Sequence, residues 1–165
     1  MGENYAAELI EKAEALRDES VAWHYLGAIQ TNKIGRLAPV TDVFESLMRE
    51  REAEAIGARK PDAKVMVQVD LTGKPGRNGA PLDDVEPLVH RARALGLHVE
   101  GLMTVAPIEP DAARKAFRAV KDLATELGLR ECSMGMTDDL EIAVEEGSTM
   151  VRVGRALFGA RSASK

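Results

Sequence analysis

Two stretches near the C-terminus, Ser133-Met134-Gly135-Met136-Thr137-Asp138-Asp139-Leu140 and Val151-Arg152-Val153-Gly154-Arg155-Ala156-Leu157-Phe158-Gly159, follow one pattern. Each reads as the end of a buried strand that opens at a glycine and continues into a helix. Two such joints on neighbouring strand ends aim several backbone N–H groups at one place. The result is a cup suited to a phosphate.

Working outward, the same strand-then-helix rhythm fills the chain. Ala7 to Arg17 is rich in Ala, Leu and Glu and reads as an amphipathic helix. Val21 to Ile29 reads as a strand ended by the polar turn Gln30-Thr31-Asn32-Lys33. Asp42 to Leu47 is a short strand before a helix over Met48 to Gly57. Lys64 to Leu71 is a Val-rich strand. It is followed by a Gly/Pro loop through Gly73, Pro75 and Gly79, then a helix from Leu82 to Leu95 stopped by Gly96. His98 to Val105 is a strand, and Asp111 to Leu127 a helix stopped by Gly128. Arg130 to Met134 and Thr149 to Val153 complete the strands, with a short acidic helix between them near Asp138 to Glu146.

Alternating strands and helices on short connections imply a parallel α/β sheet covered by its crossover helices. About six βα units are legible, whereas a closed (β/α)₈ barrel needs eight and runs to about 250 residues. The expected fold is therefore an incomplete parallel (β/α) barrel, one domain over residues 1–165.

Composition narrows the function. Hydrophobic residues make up 45% and charged residues 30%, as in an ordinary globular chain. A net charge of −5 argues against general binding to nucleic acid or an anionic membrane, which needs a basic face. The single cysteine, Cys132, excludes an internal disulfide and a Cys-cluster metal site. With no apolar run long enough to span a bilayer and no signal-peptide pattern, the expected location is cytoplasmic.

Trp23-His24-Tyr25-Leu26-Gly27-Ala28-Ile29-Gln30-Thr31-Asn32-Lys33, Ser133 to Leu140, Gly147-Ser148-Thr149-Met150 and Val151 to Gly159 together resemble the pyridoxal phosphate homeostasis proteins. These are single-domain barrels related to the N-terminal domain of alanine racemase. Gly2-Glu3-Asn4-Tyr5 resembles the end of that family's Phe-Gly-Glu-Asn motif, with Met1 in place of the Phe. The resemblance implies a pyridoxal 5'-phosphate binder or carrier in vitamin B6 homeostasis. It also implies that the family's Schiff-base lysine lies upstream of Met1, together with the first strand, its helix and most of the second strand. None of Lys12, Lys33, Lys60, Lys64, Lys74, Lys115, Lys121 and Lys165 aligns with it. Covalent cofactor attachment is accordingly not assigned, and binding is expected to be non-covalent or absent in this chain.

Candidate site residues follow from both readings. The Ser133 hydroxyl and the N–H groups of Met134 and Gly135 face the expected phosphate. Thr137 or Asp138 would cap the next helix, Asp138 and Glu141 having capping-box spacing. Gly154 lets backbone approach closely, and its N–H and that of Arg155 complete the cup. Arg155 stands where the family often carries a small hydroxyl residue, and it either adds charge to the phosphate or points to solvent. Arg152 shares a side of its strand with Gly154. By resemblance it meets the pyridine nitrogen and keeps it unprotonated, which weakens the ring as an electron sink. Without the resemblance, an ion-paired strand arginine is the simpler reading. Asn4 is implied near the ring's substituents, and Arg77 reads as a solvated loop charge or an anion contact.

Other features carry less. His24, His90 and His98 are scattered without metal-ligand spacing. Cys132 reads as a small core residue, Asp138-Asp139 and Glu145-Glu146 as solvated helix-end charges, and Met134 and Met136 as gap fillers. Two function classes remain. One is a carrier that delivers pyridoxal phosphate, with apoenzymes that need it as partners. The other is a racemase-like enzyme, which would need a lysine base and an opposing tyrosine where this chain offers only Tyr5 and Tyr25. The carrier reading is preferred; a ligand-free barrel fragment is the plainest alternative. Open sheet edges in an incomplete barrel predict self-association.

Overall fold

Along β4 (Lys64–Asp70) the side chains alternate between two different environments. Val65, Val67 and Val69 point to the helix-covered side and are fully buried there. Met66, by contrast, joins Val43 and Met103 in a second apolar cluster on the other side of the sheet. A strand buried on both faces is characteristic of a parallel sheet covered by crossovers. The computed structural model describes residues 1–74 and 76–159; Pro75 and Lys165, named above, lie outside them.

β4 is central in a seven-stranded sheet. The path runs β1 (Gly2–Glu3), β2 (His24–Tyr25), β3 (Val43–Leu47), β4, β6 (His98–Thr104), β7 (Glu131–Ser133). β5 (Ala80–Pro81) pairs with the end of β4, off this path. Every pairing is parallel. The helices are α1 (Ala6–Ala15), α2 (Ile34–Leu37), α3 (Glu50–Gly57), α4 (Leu82–Ala94), α5 (Pro110–Glu126), α6 (Leu140–Glu145) and α7 (Arg155–Phe158). The sheet curls strongly. Glu45 on β3 bonds Ser133 on β7 although β4 and β6 lie between those strands. The architecture is a half-barrel of parallel strands with helices on its outer side.

The helix ends follow local chemistry. Glu109 caps α5, accepting from the N–H groups of Asp111 at 3.0 Å and Ala112 at 2.8 Å, with Pro110 at the first helical position. Gly101 allows β6 and β7 to approach: a Cβ there would lie 2.0 Å from the Glu131 carbonyl oxygen.

Several expectations are corrected. The strand expected over Val21 to Ile29 is paired only at His24 and Tyr25, and the turn after it forms a 3₁₀ turn, Thr31–Lys33, that leads into α2. Thr149 to Val153 does not form a strand. It touches β7 through one bridge, Ser133 to Met150, and bonds from Met134 N–H to Met150 O and from Arg152 N–H to Gly135 O. A segment with a neighbour on one side only has half the ladder bonds of an interior strand. The Asp138–Glu141 capping box is also absent. Asp139 holds the N-cap position and its carboxylate accepts from Met136 N–H at 2.6 Å, while Asp138 pairs with Arg155. Glu146 is not a solvated charge. Its side chain is 8% exposed and bonds Arg114 and Arg118 of α5, whose guanidinium groups hold its carboxyl below the usual range, Arg118 foremost.

Candidate functional site

The inner face of the half-barrel carries a chain of polar side chains above its apolar floor. Alternation puts Glu45 two residues beyond Val43, and Ser133 opposite Met103 in the ladder, so both point inward. Both are buried, Glu45 at 1% and Ser133 at 0% exposure. The Ser133 hydroxyl donates to Glu45 Oε2 at 2.5 Å. Its oxygen accepts from Arg152 Nη1 at 2.9 Å, and the same nitrogen donates to the Ser133 carbonyl at 2.7 Å. Arg152 Nη2 donates to the Thr104 carbonyl at 2.7 Å. His24 Nδ1 lies 2.5 Å from Glu45 Oε1.

Arg152 is thus pinned from three sides by β6 and β7. Burial pushes its guanidinium below the ordinary range, and Glu45 and then Asp139 pull it back. A guanidinium keeps its charge even so. Among the described residues three of its five N–H donors are used.

The two C-terminal joints stand beside it. Gly135 has φ +94°, and a Cβ there would meet the Ala143 Cβ at 2.5 Å, so only glycine fits this turn. Met134 is buried and its N–H is spent on Met150 O. Among the described residues no acceptor meets the N–H groups of Gly135, Gly154 or Arg155. Gly154 has open space around it, a Cβ there meeting nothing within 4 Å. Arg155 pairs with Asp138, tying the second joint to the first. Of the donors expected around a phosphate, the N–H groups of Gly135, Gly154 and Arg155 meet no acceptor among the described residues, while the Met134 N–H and the Ser133 hydroxyl already have partners.

Asn4 is exposed after β1, at the opposite edge of the sheet from Arg152. Arg77 donates to the Val105 carbonyl at 3.0 Å, bracing the loop after β4 against the end of β6. Met136 is 37% exposed, and Cys132 is fully buried, its thiol pushed up by burial. Tyr25 faces the helix side, packed edge-on against Phe44. Sequence reading passed over Glu45 and set His24 aside. The available signal was their place in alternation with inward-facing Val43 and Met66.

Two cavities flank this face. One of about 1120 Å³ opens at the N-terminal strand ends, lined by residues including Asp42, Lys64, Glu100 and Glu131. Lys64 and Glu100 pair there at 2.8 Å, and it lies opposite the rim where barrel sites form. A smaller one of about 360 Å³ lies on the C-terminal rim beside Gln30, Arg49, Arg51 and Asn78. No group of His, Cys, Asp and Glu suited to a metal occurs among the described residues, and no helix there is long and apolar enough to cross a membrane.

The sequence profile of the alanine racemase N-terminal domain family matches residues 2–162. The chain belongs to that family. Within it the chain is 35% identical to the pyridoxal phosphate homeostasis protein of Aquifex aeolicus, over 97% of this chain and 76% of the relative. It is 37% identical to the Pseudomonas aeruginosa protein of the same name, over 97% and 74%. Such relatives place the chain among the pyridoxal phosphate homeostasis proteins. In structure it resembles PipY of Synechococcus elongatus, known without and with bound pyridoxal phosphate. The TM-scores are 0.88 and 0.87 at 31% identity, covering 96% of this chain and 80% of PipY. A Selenomonas ruminantium lysine decarboxylase, 19% identical with a TM-score of 0.70, shares the fold.

Proposed function

We propose that this family member holds pyridoxal 5'-phosphate as a single-domain carrier in vitamin B6 homeostasis. The observation that carries the reading is the half-buried Arg152, fixed by three hydrogen bonds beside a turn whose Gly135, Gly154 and Arg155 N–H groups meet no acceptor among the described residues. When bound, the cofactor supplies an aldehyde and a ring that accepts electrons. The chain's own residues do the holding. Arg152 directs its free N–H groups at the ring nitrogen. The N–H groups of Gly135, Gly154 and Arg155 receive the phosphate, with Ser133 and Met134 shaping the turn behind them, and Asn4 serves the ring's substituents from the other edge.

The residues fit the ring and phosphate ends but not a covalent anchor among the described residues. Lys12 pairs with Glu3, Lys60 donates to the Thr41 carbonyl, Lys64 pairs with Glu100, and Lys33, Lys74, Lys115 and Lys121 lie on outer turns, loops and helices. The placement of Tyr25 away from the inner face supports a carrier over a racemase-like enzyme. Cofactor-requiring apoenzymes are the proposed recipients.

The test is a titration with pyridoxal phosphate, followed by borohydride reduction and intact mass. The expected outcome is a spectral change without a stoichiometric reduced adduct. No spectral response overturns the reading; an adduct would identify a lysine that holds the aldehyde covalently. Gly154→Val is expected to weaken pyridoxal phosphate at least tenfold while leaving pyridoxal unchanged, since it crowds only the phosphate donors.

A further inference from the structure

Glu45 has no part in the binding just described, yet both of its carboxylate oxygens are engaged on the inner face. At 1% exposure it receives the Ser133 hydroxyl on one oxygen and faces His24 on the other, each at 2.5 Å. A carboxylate this deep is costly unless paired, and the charge that balances it is Arg152, one hydroxyl away. Ser133 has a single O–H to give. Because it gives it to Glu45, its lone pairs turn to Arg152 Nη1. Val43, Met66 and Met103 form the apolar floor beneath these groups.

We propose that Glu45, anchored by His24, is the positioning residue that fixes the Arg152 guanidinium, acting across the half-barrel through the Ser133 hydroxyl. Ring recognition and phosphate recognition are then built from different parts. The Glu45–Ser133–Arg152 chain sets the ring contact, and free backbone donors set the phosphate contact. Ser133 belongs to the first, although it stands in the phosphate-turn sequence. The inference rests on the reading of Arg152 as the ring contact. Its structural half, that Glu45 immobilises Arg152, stands without any ligand.

The experiment follows the guanidinium ¹⁵N–H signals of Arg152 in the full chain, then titrates pyridoxal phosphate and pyridoxal, with inorganic phosphate as competitor. Wild type is expected to show separate, slowly exchanging Nη signals. In Glu45→Gln, which keeps the shape and removes the charge, those signals are expected to average. Both aldehydes should then lose about tenfold in affinity, with phosphate competition unchanged. Unchanged Arg152 signals in a folded Glu45→Gln protein overturn the proposal. So does a loss for pyridoxal phosphate with pyridoxal unaffected, which would return Ser133 to the phosphate. Where Glu45→Gln does not fold, His24→Gln is expected to give a smaller change in the same signals, and no change overturns the proposal. A wild type that binds neither aldehyde defeats the carrier reading alone, and the Arg152 signals still decide this one.

Discussion

The two faces of the sheet use the same strands for opposite ends. On the helix side Val65, Val67, Val69, Leu102 and Phe117 interlock with no polar atom among their side chains. On the inner side one apolar layer of Val43, Met66 and Met103 supports Glu45, Ser133 and Arg152, which are tied to one another and to His24. Dispersion and burial hold the first face, and they are tolerant of which aliphatic residue fills a site. Directional bonds hold the second, where one changed atom leaves a buried partner unsatisfied. Stability and recognition are thereby separated by the pleat of a single strand.

The sharpest break of that comparison is Phe117→Ala. It should cost about 3–5 kcal/mol in urea unfolding, through a cavity under the sheet, and leave cofactor affinity of the folded fraction unchanged. Gly135→Val comes next, at about 2–3 kcal/mol, since its positive φ and the Ala143 Cβ both oppose a side chain. Unlike Phe117→Ala, it should also weaken pyridoxal phosphate binding. Glu52 gives a subtler contrast. It is fully buried on α3, accepting from Met48 N–H at 3.0 Å, and burial pushes its carboxyl up. The folded chain thus holds that proton more tightly than the unfolded one, so stability falls as pH rises from the ordinary carboxylate value through the raised one. Thermal melts of Glu52→Gln should match wild type below that window and exceed it above. Smallest is Glu146→Gln on α6–α5. Its lowered carboxyl contributes stability above the ordinary value that is lost as pH falls through the folded one. The variant should flatten only this acid limb of the melting curve.

Much of the fold was legible. The Val-rich run at Lys64 to Leu71 and the glycine stops at Gly96 and Gly128 located β4, α4 and α5 within a residue or two, because these segments combine strong periodicity with strong end signals. The failures fell where pairing decides. Val21 to Ile29 is as apolar as β4 but pairs at two residues only, and Thr149 to Val153 has one neighbour and forms one bridge. The site divided in the same way. Gly135 and Gly154 were named from local spacing, and Arg152 from the family resemblance. Glu45 lies 88 residues from Ser133, and nothing local in either segment announces the other.

Sequence alone determined the alternation of strands and helices, the glycine turns at the two C-terminal joints and the family to which they belong, because each rests on residues adjacent in the chain. Tertiary structure decided which donors remain free. Curling the sheet brings β3 against β7, so the Ser133 hydroxyl is captured by Glu45, Arg152 is locked between the Ser133 and Thr104 carbonyls, and the N–H groups of Gly135, Gly154 and Arg155 meet no acceptor among the described residues. A hydrogen bond is a property of two groups and the distance between them, and that distance is set by the fold.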